Sequence, residues 1–244
     1  MRRLNLPGMT GNAVSRAAWR LLAFLLLLLP AYALTAYVLL PASWQHYART
    51  NMRPRPWPVS YTEEGIPADP INLSVTGSRD QLVTAMRAAG WTLADRITVA
   101  TGLRDAHSVL FGRPYPSAPM STHWIAGRPQ DLAFERAVGG SPRRRHHVRF
   151  WKSVAAGGGP AEAWIGSATF DRAMGVSAYT GEPMHHIDPD VDQEREKLRA
   201  DLVATGLLAR AAEVPGRPRS DRNGGGDRYQ TDGKILLLAL GTER

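Results

Sequence analysis

Residues 132–170 read LAFERAVGGSPRRRHHVRFWKSVAAGGGPAEAWIGSATF. Aromatic, β-branched and other apolar residues in this stretch predict strands at Leu132–Ala137, His147–Val154 and Ala163–Phe170. The last two runs flank AAGGGP at 155–160, which is typical of a hairpin connection. A further strand is predicted just upstream, at Met120–Ala126. This series of consecutive strands indicates a sheet whose neighbours in sequence are neighbours in space.

A strand and a helix are predicted on the N-terminal side of this series. Ile71–Thr76 has the composition of a strand. Ser78 and Gln81 then form the sequence pattern of a capping box, and Gly90 ends the helix that follows it.

A second helix and a last strand are predicted on the C-terminal side. Asp188 as N-cap and Pro189 at the first helical position favour a helix that runs to Gly206. Ile235–Leu240 is a short apolar run typical of a buried strand. Helices at both ends of several strands predict an α+β fold, with a mainly antiparallel sheet and helices on one face. A ferredoxin-like sandwich is one such arrangement.

A membrane segment precedes this domain. Residues 21–40 read LLAFLLLLLPAYALTAYVLL, contain no charge, and as a helix would measure about 30 Å, the thickness of a bilayer's hydrocarbon core. We therefore predict a single transmembrane helix at 21–40 after a short basic tail at 1–20. The alternative is a cleaved signal peptide, because Ala31 and Ala33 supply a small-x-small cleavage pattern. The apolar residues that continue to Leu40 favour the anchor.

The other boundaries and the orientation follow from composition. Four arginines lie before the apolar segment and three closely follow it, which narrowly favours an N-terminus inside and a C-terminal domain on the non-cytoplasmic side. The proline-rich residues 41–68 are predicted to be a spacer. The α+β domain is predicted at 69–212, and a loose Arg-, Gly- and Pro-rich segment with a final short strand at 213–244.

The charge distribution argues against a nucleic-acid partner. The net charge is +8, but residues 1–59 hold seven arginines and no acidic residue, whereas residues 60–244 hold 23 basic and 22 acidic side chains. The basic excess therefore belongs to the N-terminal region and not to the domain. The absence of Cys excludes a disulfide scaffold, a Cys nucleophile and a thiolate zinc site.

Two pairs of adjacent histidines are candidates for metal binding. Imidazoles and carboxylates are the usual ligands of zinc, manganese and non-haem iron. The candidate ligands are His146, His147, His185, His186, Asp171 and Asp188. Neighbouring residues on a strand point to opposite faces, so only one of His146 and His147 can serve a given site. The alternative is structural, with histidines that only form hydrogen bonds and with Asp188 as a helix cap.

The densest basic stretch of the domain is RRRHHVR at 143–149. Arg143, Arg145 and Arg149 are candidates for binding a phosphate or another anion, because a guanidinium group offers two parallel donors. The alternative is a turn and an edge strand whose charges face solvent and prevent pairing with another sheet.

Several short motifs occur in order along the domain. They are DPINL at 69–73, YPSAP at 115–119, GRPQDLAF at 127–134, the stretch 141–151, ATFD at 168–171 and HHIDPD at 185–190. With these motifs, residues 69–212 resemble the LssY C-terminal domain family. Larger proteins with this domain resemble multi-span membrane proteins with a lipid-phosphatase-like region, and the family name derives from a locus linked to type I secretion. The resemblance implies a secretion-associated membrane protein and assigns no reaction and no catalytic residue.

Two functions of different classes remain open. The first is a membrane-anchored cell-envelope module that binds a protein partner or an anionic lipid or glycan group; the anchor, the basic run and the lack of a complete catalytic motif favour it. The second is a metal-dependent hydrolase of a phosphoester or lipid-linked substrate, with a divalent zinc, manganese or iron cofactor. The second requires His146 or His147 to meet His185, His186 and a carboxylate at one ion.

Overall fold

The computed structural model describes residues 11–51, 58–139, 141–153, 162–216 and 218–241. Its helices are α1, which joins Gly11–Leu34, a π-helical turn at Thr35–Leu39 and Leu40–Asn51, then α2 Arg79–Ala88, α3 Val99–Phe111 and α4 Val191–Ala204. Its strands are β1 Val59–Tyr61, β2 Pro67–Pro70, β3 Leu73–Thr76, β4 Thr92–Leu93, β5 Trp124–Ile125, β6 Arg128–Pro129, β7 Leu132–Val138, β8 Ser141–Ser153, β9 Ala163–Val176, β10 Pro183–Ile187, β11 Leu208–Val214, β12 Arg219–Arg222, β13 Arg228–Thr231 and β14 Ile235–Leu240.

The main sheet has the strand order β11-β14-β3-β9-β8-β7-β4, and β10 also pairs with β9. Its pairings are antiparallel, except that β14 runs parallel to β3. The four inner strands β14-β3-β9-β8 have the spatial order of a ferredoxin-like sheet, but the parallel pairing of β14 with β3 departs from that fold, whose sheet is antiparallel throughout. The predicted α+β class, with a mainly antiparallel sheet, helices on one face and an apolar N-terminal helix, is confirmed.

The apolar core lies between the sheet and the helices α2 and α4. Leu82 and Met86 of α2 and Leu198 of α4 are completely buried against strand side chains such as Phe134 and Phe150. Burial of a side chain of this size stabilises a fold by about 1.5–3 kcal/mol. The other face of the same sheet is polar and carries the candidate site.

The two sandwich helices begin with side-chain caps. At α2 the predicted capping box is confirmed, because Ser78 Oγ accepts from Gln81 N and Gln81 Oε1 accepts from Ser78 N. At α4 the predicted cap is wrong by two residues. The N-cap is Asp190, whose carboxylate accepts from the amides of Asp192 and Gln193, while Asp188 accepts from Asp190 N in the preceding turn.

Several strands differ from the predicted ones. Only Trp124–Ile125 of the predicted strand Met120–Ala126 is a strand, β8 begins at Ser141 instead of His147, and β9 continues to Val176. Apolar patterning marks only the part of a strand that faces the core, whereas backbone pairing continues through polar residues. Because β8 lies between β7 and β9, the interpretation of its basic stretch as an edge strand is wrong.

Helix α1 is longer than the predicted anchor and contacts the domain. Pro41 has no amide hydrogen for the helical ladder, and the π-helical turn lies just before it. The wider turn places Ala36 and Pro41 on one face, where both are buried. The predicted spacer at 41–68 is therefore partly helical up to Asn51 and partly the strands β1 and β2. Its residues 52–57 lie outside the described part of the chain, as do residues 1–10 of the basic tail and the 155–160 connection.

The C-terminal segment 213–244 also has more structure than predicted. Strands β12 and β13 form an antiparallel hairpin in the stretch that was predicted to be loose, with Arg219 opposite Thr231. The last strand is Ile235–Leu240, as the apolar run indicates, and it lies between β11 and β3 in the main sheet. The domain boundaries themselves stay a prediction.

Candidate functional site

Along the middle of β8, every second side chain is a buried polar or charged one on the polar face of the sheet. Arg145, His147 and Arg149 point to this face and are buried, whereas Val148 and Phe150 point to the apolar core. This alternation follows from the two-residue period of a strand. The segments that contain β1, β2 and residues 113–123 pack on the polar face. Because they exclude water from it, the charges on this face need partners inside the protein.

The first group of partners surrounds Arg145. Its Nη1 lies 2.9 Å from Glu135 Oε2 and its Nε lies 3.4 Å from Asp171 Oδ2. Its Nη2 lies 3.2 Å from His185 Nδ1. Because a guanidinium group only donates, His185 Nδ1 accepts, and this places the proton of a neutral ring on Nε2. We call Glu135, Arg145, His147, Asp171 and His185 the polar cluster.

His147 and His185 both approach Asp171 within this cluster. His147 Nε2 lies 3.4 Å from Asp171 Oδ1 and also bonds to Thr169 Oγ1, and His185 Nδ1 lies 3.8 Å from Asp171 Oδ2. The sheet thus brings together one histidine of each predicted pair and a predicted carboxylate.

The second group of partners surrounds Arg149. Its Nη1 lies 3.0 Å from Asp69 Oδ2, its Nε donates to Ser121 O and its Nη2 donates to Ser121 Oγ. His123 Nδ1 lies 3.4 Å from the same Asp69 oxygen and 3.1 Å from Ser60 Oγ. Arg149 and Asp69 thus form a buried ion pair that connects β8 to the segments covering it.

Burial shifts the pKa values of these groups. It raises the pKa of Asp69 and of Asp171 to about 6 and that of Glu135 to about 7, against the opposing effect of the arginines. It also lowers the pKa of His147 and His123 well below the usual range, and the charge of Arg149 lowers both further. The two imidazoles are therefore neutral at physiological pH.

The polar cluster has little room for a substrate at the point where a cavity reaches it. This cavity has a volume of about 10 Å³, which is room for one water molecule. It is lined by Glu135 and Arg145 and, on the side of α3, by Asp105 and Ser108. Space of this size is too small for a phosphoester.

The remaining predicted ligands lie elsewhere. His146 points to the helix side of the sheet, where its Nδ1 lies 2.7 Å from Glu194 Oε2. His186 Nδ1 lies 2.8 Å from Asp227 Oδ1. Asp188 lies in the turn before α4 and accepts from Asp190 N. Each histidine pair is thus divided between the two faces of its strand.

The geometry of the polar cluster does not favour a metal ion. Within the part of the chain that the structure describes, no group of three or more His, Asp or Glu side chains is placed to hold one. The guanidinium group of Arg145 lies beside both Asp171 and His185, and its charge would repel a cation there.

The predicted anion ligands divide in the same way. Arg145 and Arg149 are buried and already paired with carboxylates, whereas Arg143 is exposed beside the turn from β7 to β8. Its neighbour Arg144 is also exposed and lies over the ring of Phe170, 5.7 Å from the centroid. Two guanidinium groups are therefore accessible at this turn.

This turn shares one end of the sheet with the connection between β9 and β10. Val138 pairs with Ser141, Val176 pairs with Pro183, and β8 and β9 are antiparallel, so both connections lie at one end, here called the turn end. Helix α1 contacts the same end. Tyr32 Oη donates to Gly181 O at 2.8 Å, and Trp44 Nε1 donates to Tyr179 O at 3.1 Å.

The polar cluster and the group around Arg149, with Ser60, Asp69 and His123, together form the buried network. Some of its members carried no functional signal in the sequence. Glu135 follows Phe134 in a predicted strand, and the period of two could have assigned it to the polar face. Asp69 opens the DPINL motif. His123 and Ser60 are isolated in the sequence, and only the fold brings them to Asp69.

Comparison with known proteins agrees with the motifs quoted above. A family model described as LssY C-terminus matches residues 50–235, which include the end of α1, the helices α2 to α4 and the whole buried network. No curated protein and no solved structure matches the chain.

Proposed function

We propose that this chain, which belongs to the LssY C-terminus family, is a membrane-anchored module of the cell envelope that binds an anionic lipid or glycan headgroup at the turn end of its sheet. The observation that carries the proposal is the position of the exposed Arg143 and Arg144 at the end that α1 contacts. Exposed guanidinium groups beside a membrane helix attract anionic headgroups by about 1 kcal/mol each.

The length and the exposure of α1 support its role as the anchor. Residues 15–51 form one helix long and apolar enough to span a membrane, and residues 15–34 are exposed. The contacts of Tyr32 and Trp44 lie on both sides of the candidate cleavage site at Ala31 and Ala33, so cleavage there would remove part of an interface. This continuity favours an uncleaved helix.

The same contacts shift the proposed span toward the N-terminus. Because Tyr32 bonds to Gly181, a span at 21–40 would bury the 177–182 turn in the hydrocarbon. Twenty residues that end at Tyr32, about 30 Å of helix, begin at Ala13. Arg16 then lies near the start of the span, and the side chain of Arg20, about 10 Å further along the helix than Ala13, must extend along the helix to reach the headgroups. The 177–182 turn then lies at the membrane surface.

Native mass spectrometry of the full chain in detergent tests the proposal. The wild type should retain phosphatidylglycerol in preference to phosphatidylcholine, and Arg143→Ala/Arg144→Ala should weaken that preference roughly thirtyfold. Glycerol phosphate and an oligogalacturonate, added separately, distinguish a lipid headgroup from an acidic glycan.

A matched control removes two exposed arginines from the opposite end. Arg79 follows β3, and Arg128 Nη1 donates to Lys152 O at the far end of β8. Arg79→Ala/Arg128→Ala should keep the preference of the wild type. Equal selectivity in both double variants would overturn the proposal.

One observation favours metal-dependent hydrolysis as a second candidate, namely the meeting of His147, His185 and Asp171. It predicts near-stoichiometric zinc, manganese or iron in the purified full chain, lost in both His147→Gln and His185→Gln. Elemental mass spectrometry measures this content. A folded chain that stays free of metal after incubation with these ions would overturn the second candidate.

A further inference from the structure

Helix α3 has the reverse of the usual amphipathic pattern. Of the large apolar side chains exposed in the described part of the domain beyond α1, five of eight lie on or beside this helix. They are Ile97, Val99, Leu103, Leu110 and Phe111, each more than half exposed. Val99, Leu103, Leu110 and Phe111 occupy positions i, i+4, i+11 and i+12 and therefore form a stripe along one side of the helix, and Ile97 precedes its N-terminus.

The side of α3 that faces the protein is polar. Ser108 is buried, and its Oγ donates to Arg113 O at the C-terminal end of the helix. Asp105 and Ser108 line the small cavity beside Arg145. A helix that buries its polar side and exposes its apolar side requires another apolar phase on its outer surface.

The position of α3 indicates which phase this is. Its inner side shares the small cavity with Ala137 and Ser141, the residues that flank the β7–β8 turn. The helix therefore lies at the turn end of the sheet, the end that α1 contacts through Gly181 and Tyr179. Val176, a further exposed apolar residue, lies at the same end.

The charges around the stripe are of one sign. Arg104 is exposed on α3, and Arg96 and Arg113 are exposed just beyond its two ends, whereas Asp105 faces the small cavity. Asp95 accepts from Tyr115 Oη and Ser117 Oγ. An apolar stripe with a basic border is the pattern of a helix that lies in the interface of an anionic bilayer.

We infer that the outward face of α3 docks on the surface of the anionic bilayer that holds α1, so that the domain contacts the membrane at two places. This inference rests on the proposed anchoring by α1 and adds a second contact that does not use Arg143 or Arg144. Docking at both places would hold the turn end of the sheet against the headgroups.

The lack of Cys makes a direct test simple, because one introduced Cys is a unique labelling site. Leu103→Cys is labelled with an environment-sensitive nitrobenzoxadiazole probe. The full chain is placed in nanodiscs of equal parts phosphatidylcholine and phosphatidylglycerol, or of phosphatidylcholine alone. Lipids brominated near the headgroup quench a probe that lies in the interface.

Val203→Cys is the matched control. Val203 is 56% exposed near the C-terminal end of α4. The strand that follows α4 begins at Leu208, which pairs with Leu240 at the end of the sheet opposite to the turn end. We expect the probe at 103 to show a blue-shifted emission and at least roughly twofold stronger quenching than the probe at 203. The additional substitution Leu110→Glu should reduce the quenching at 103 to the level of the control.

The outcomes separate this inference from the proposed function. Equally weak quenching at positions 103 and 203 would overturn the inference about α3. The preference of the chain for phosphatidylglycerol, which depends on Arg143 and Arg144, would be unaffected by that result. A blue shift that appears without quenching, and only when each nanodisc holds two chains, would also overturn the inference, because it would show that a second copy of the chain covers the outward face of α3. Strong quenching at 103 that is greater with phosphatidylglycerol than with phosphatidylcholine alone supports the inference, and equally strong quenching in the two mixtures would overturn the requirement for an anionic bilayer.

Discussion

Buried charges on the polar face require matched partners. Arg149 and Asp69 are 3% exposed each, and water can replace neither partner. Removing one member of such a pair leaves the other without compensation, which costs more than the pair contributes when intact. The network is therefore sensitive to single substitutions even though it contributes little as a whole.

We expect Arg149→Met to lower the free energy of unfolding by about 3–5 kcal/mol, because Asp69 then stays buried without its partner. Arg128→Met, which removes an exposed ion pair with Asp131, should change it by less than about 1 kcal/mol. Urea unfolding of the full chain in detergent, followed by tryptophan fluorescence, measures both. Similar losses in the two variants would contradict the assigned role of the buried pair.

His147 predicts a pH dependence of stability. Its pKa in the folded chain is well below the unfolded value of 6.5, so its contribution is present above pH 6.5 and is lost as the pH falls. The raised pKa values of Asp171, about 6, and Glu135, about 7, have the opposite effect, and their contribution is lost as the pH rises through these values.

The comparison of wild type with His147→Gln isolates the histidine from the carboxyl groups. The stability of the wild type should fall, relative to that of the variant, by up to about 1.4 kcal/mol for each pH unit below 6.5. Denaturant unfolding between neutral and mildly acidic pH measures the difference. Parallel pH curves would show that the imidazole is not held neutral.

At the scale of elements, close packing within the sheet contrasts with the open surface of α3. A Cβ on Gly166 of β9 would lie 2.8 Å from the ring of Phe150 and 3.1 Å from the backbone oxygen of Arg149. A Cβ on Gly102 of α3 would meet no atom within 4 Å. The same substitution should therefore have opposite effects in the two elements.

We expect Gly166→Ala to destabilise the protein by about 1–3 kcal/mol through overpacking. Gly102→Ala should stabilise it by about 0.5–1 kcal/mol, because alanine favours a helix interior. Thermal or urea unfolding of both variants measures the two signs. Destabilisation by Gly102→Ala would contradict the open surface of α3, because the added methyl group would then have to meet another atom.

At the scale of the whole molecule, α1 and the domain form one contact surface from Tyr32 to Ala48. Trp44 contributes a hydrogen bond to Tyr179 O and a ring contact with Tyr179 at 5.0 Å. Ala48 lies against Gly65 in the turn between β1 and β2. The domain therefore has a defined orientation relative to its candidate anchor.

Trp44→Ala should loosen this contact without unfolding the domain. We expect faster amide exchange at 177–182 and unchanged exchange in β8 and β9, because the sheet does not depend on α1. Hydrogen exchange measured by mass spectrometry on the full chain in detergent reports both regions. Trp19→Ala, at a position 69% exposed, should leave both unchanged; slower or unchanged exchange at 177–182 in Trp44→Ala would contradict the contact.

Sequence reasoning succeeded where the signal is local. The capping box at Ser78, the apolar run at 21–40 and the last strand at Ile235–Leu240 each depend only on residues that are close together in the chain. The α+β class followed from the order of these elements. No element was predicted at Val99–Phe111, although its apolar residues recur at helical spacing and Gly112 follows its last turn.

The candidate site depended on contacts between residues distant in the chain. Arg145 was predicted as an anion ligand, but the sheet register places it between Glu135 and Asp171, and residues 183–187 bring His185 to it. The exposure of Arg143 and Arg144 and the burial of Arg149 follow from where each residue lies along β8. Composition and periodicity are properties of neighbouring residues, and they established an apolar helix followed by an α+β domain. The pairing of the strands established which charges meet inside the domain and which remain outside, because burial and ion pairing depend on distances in space.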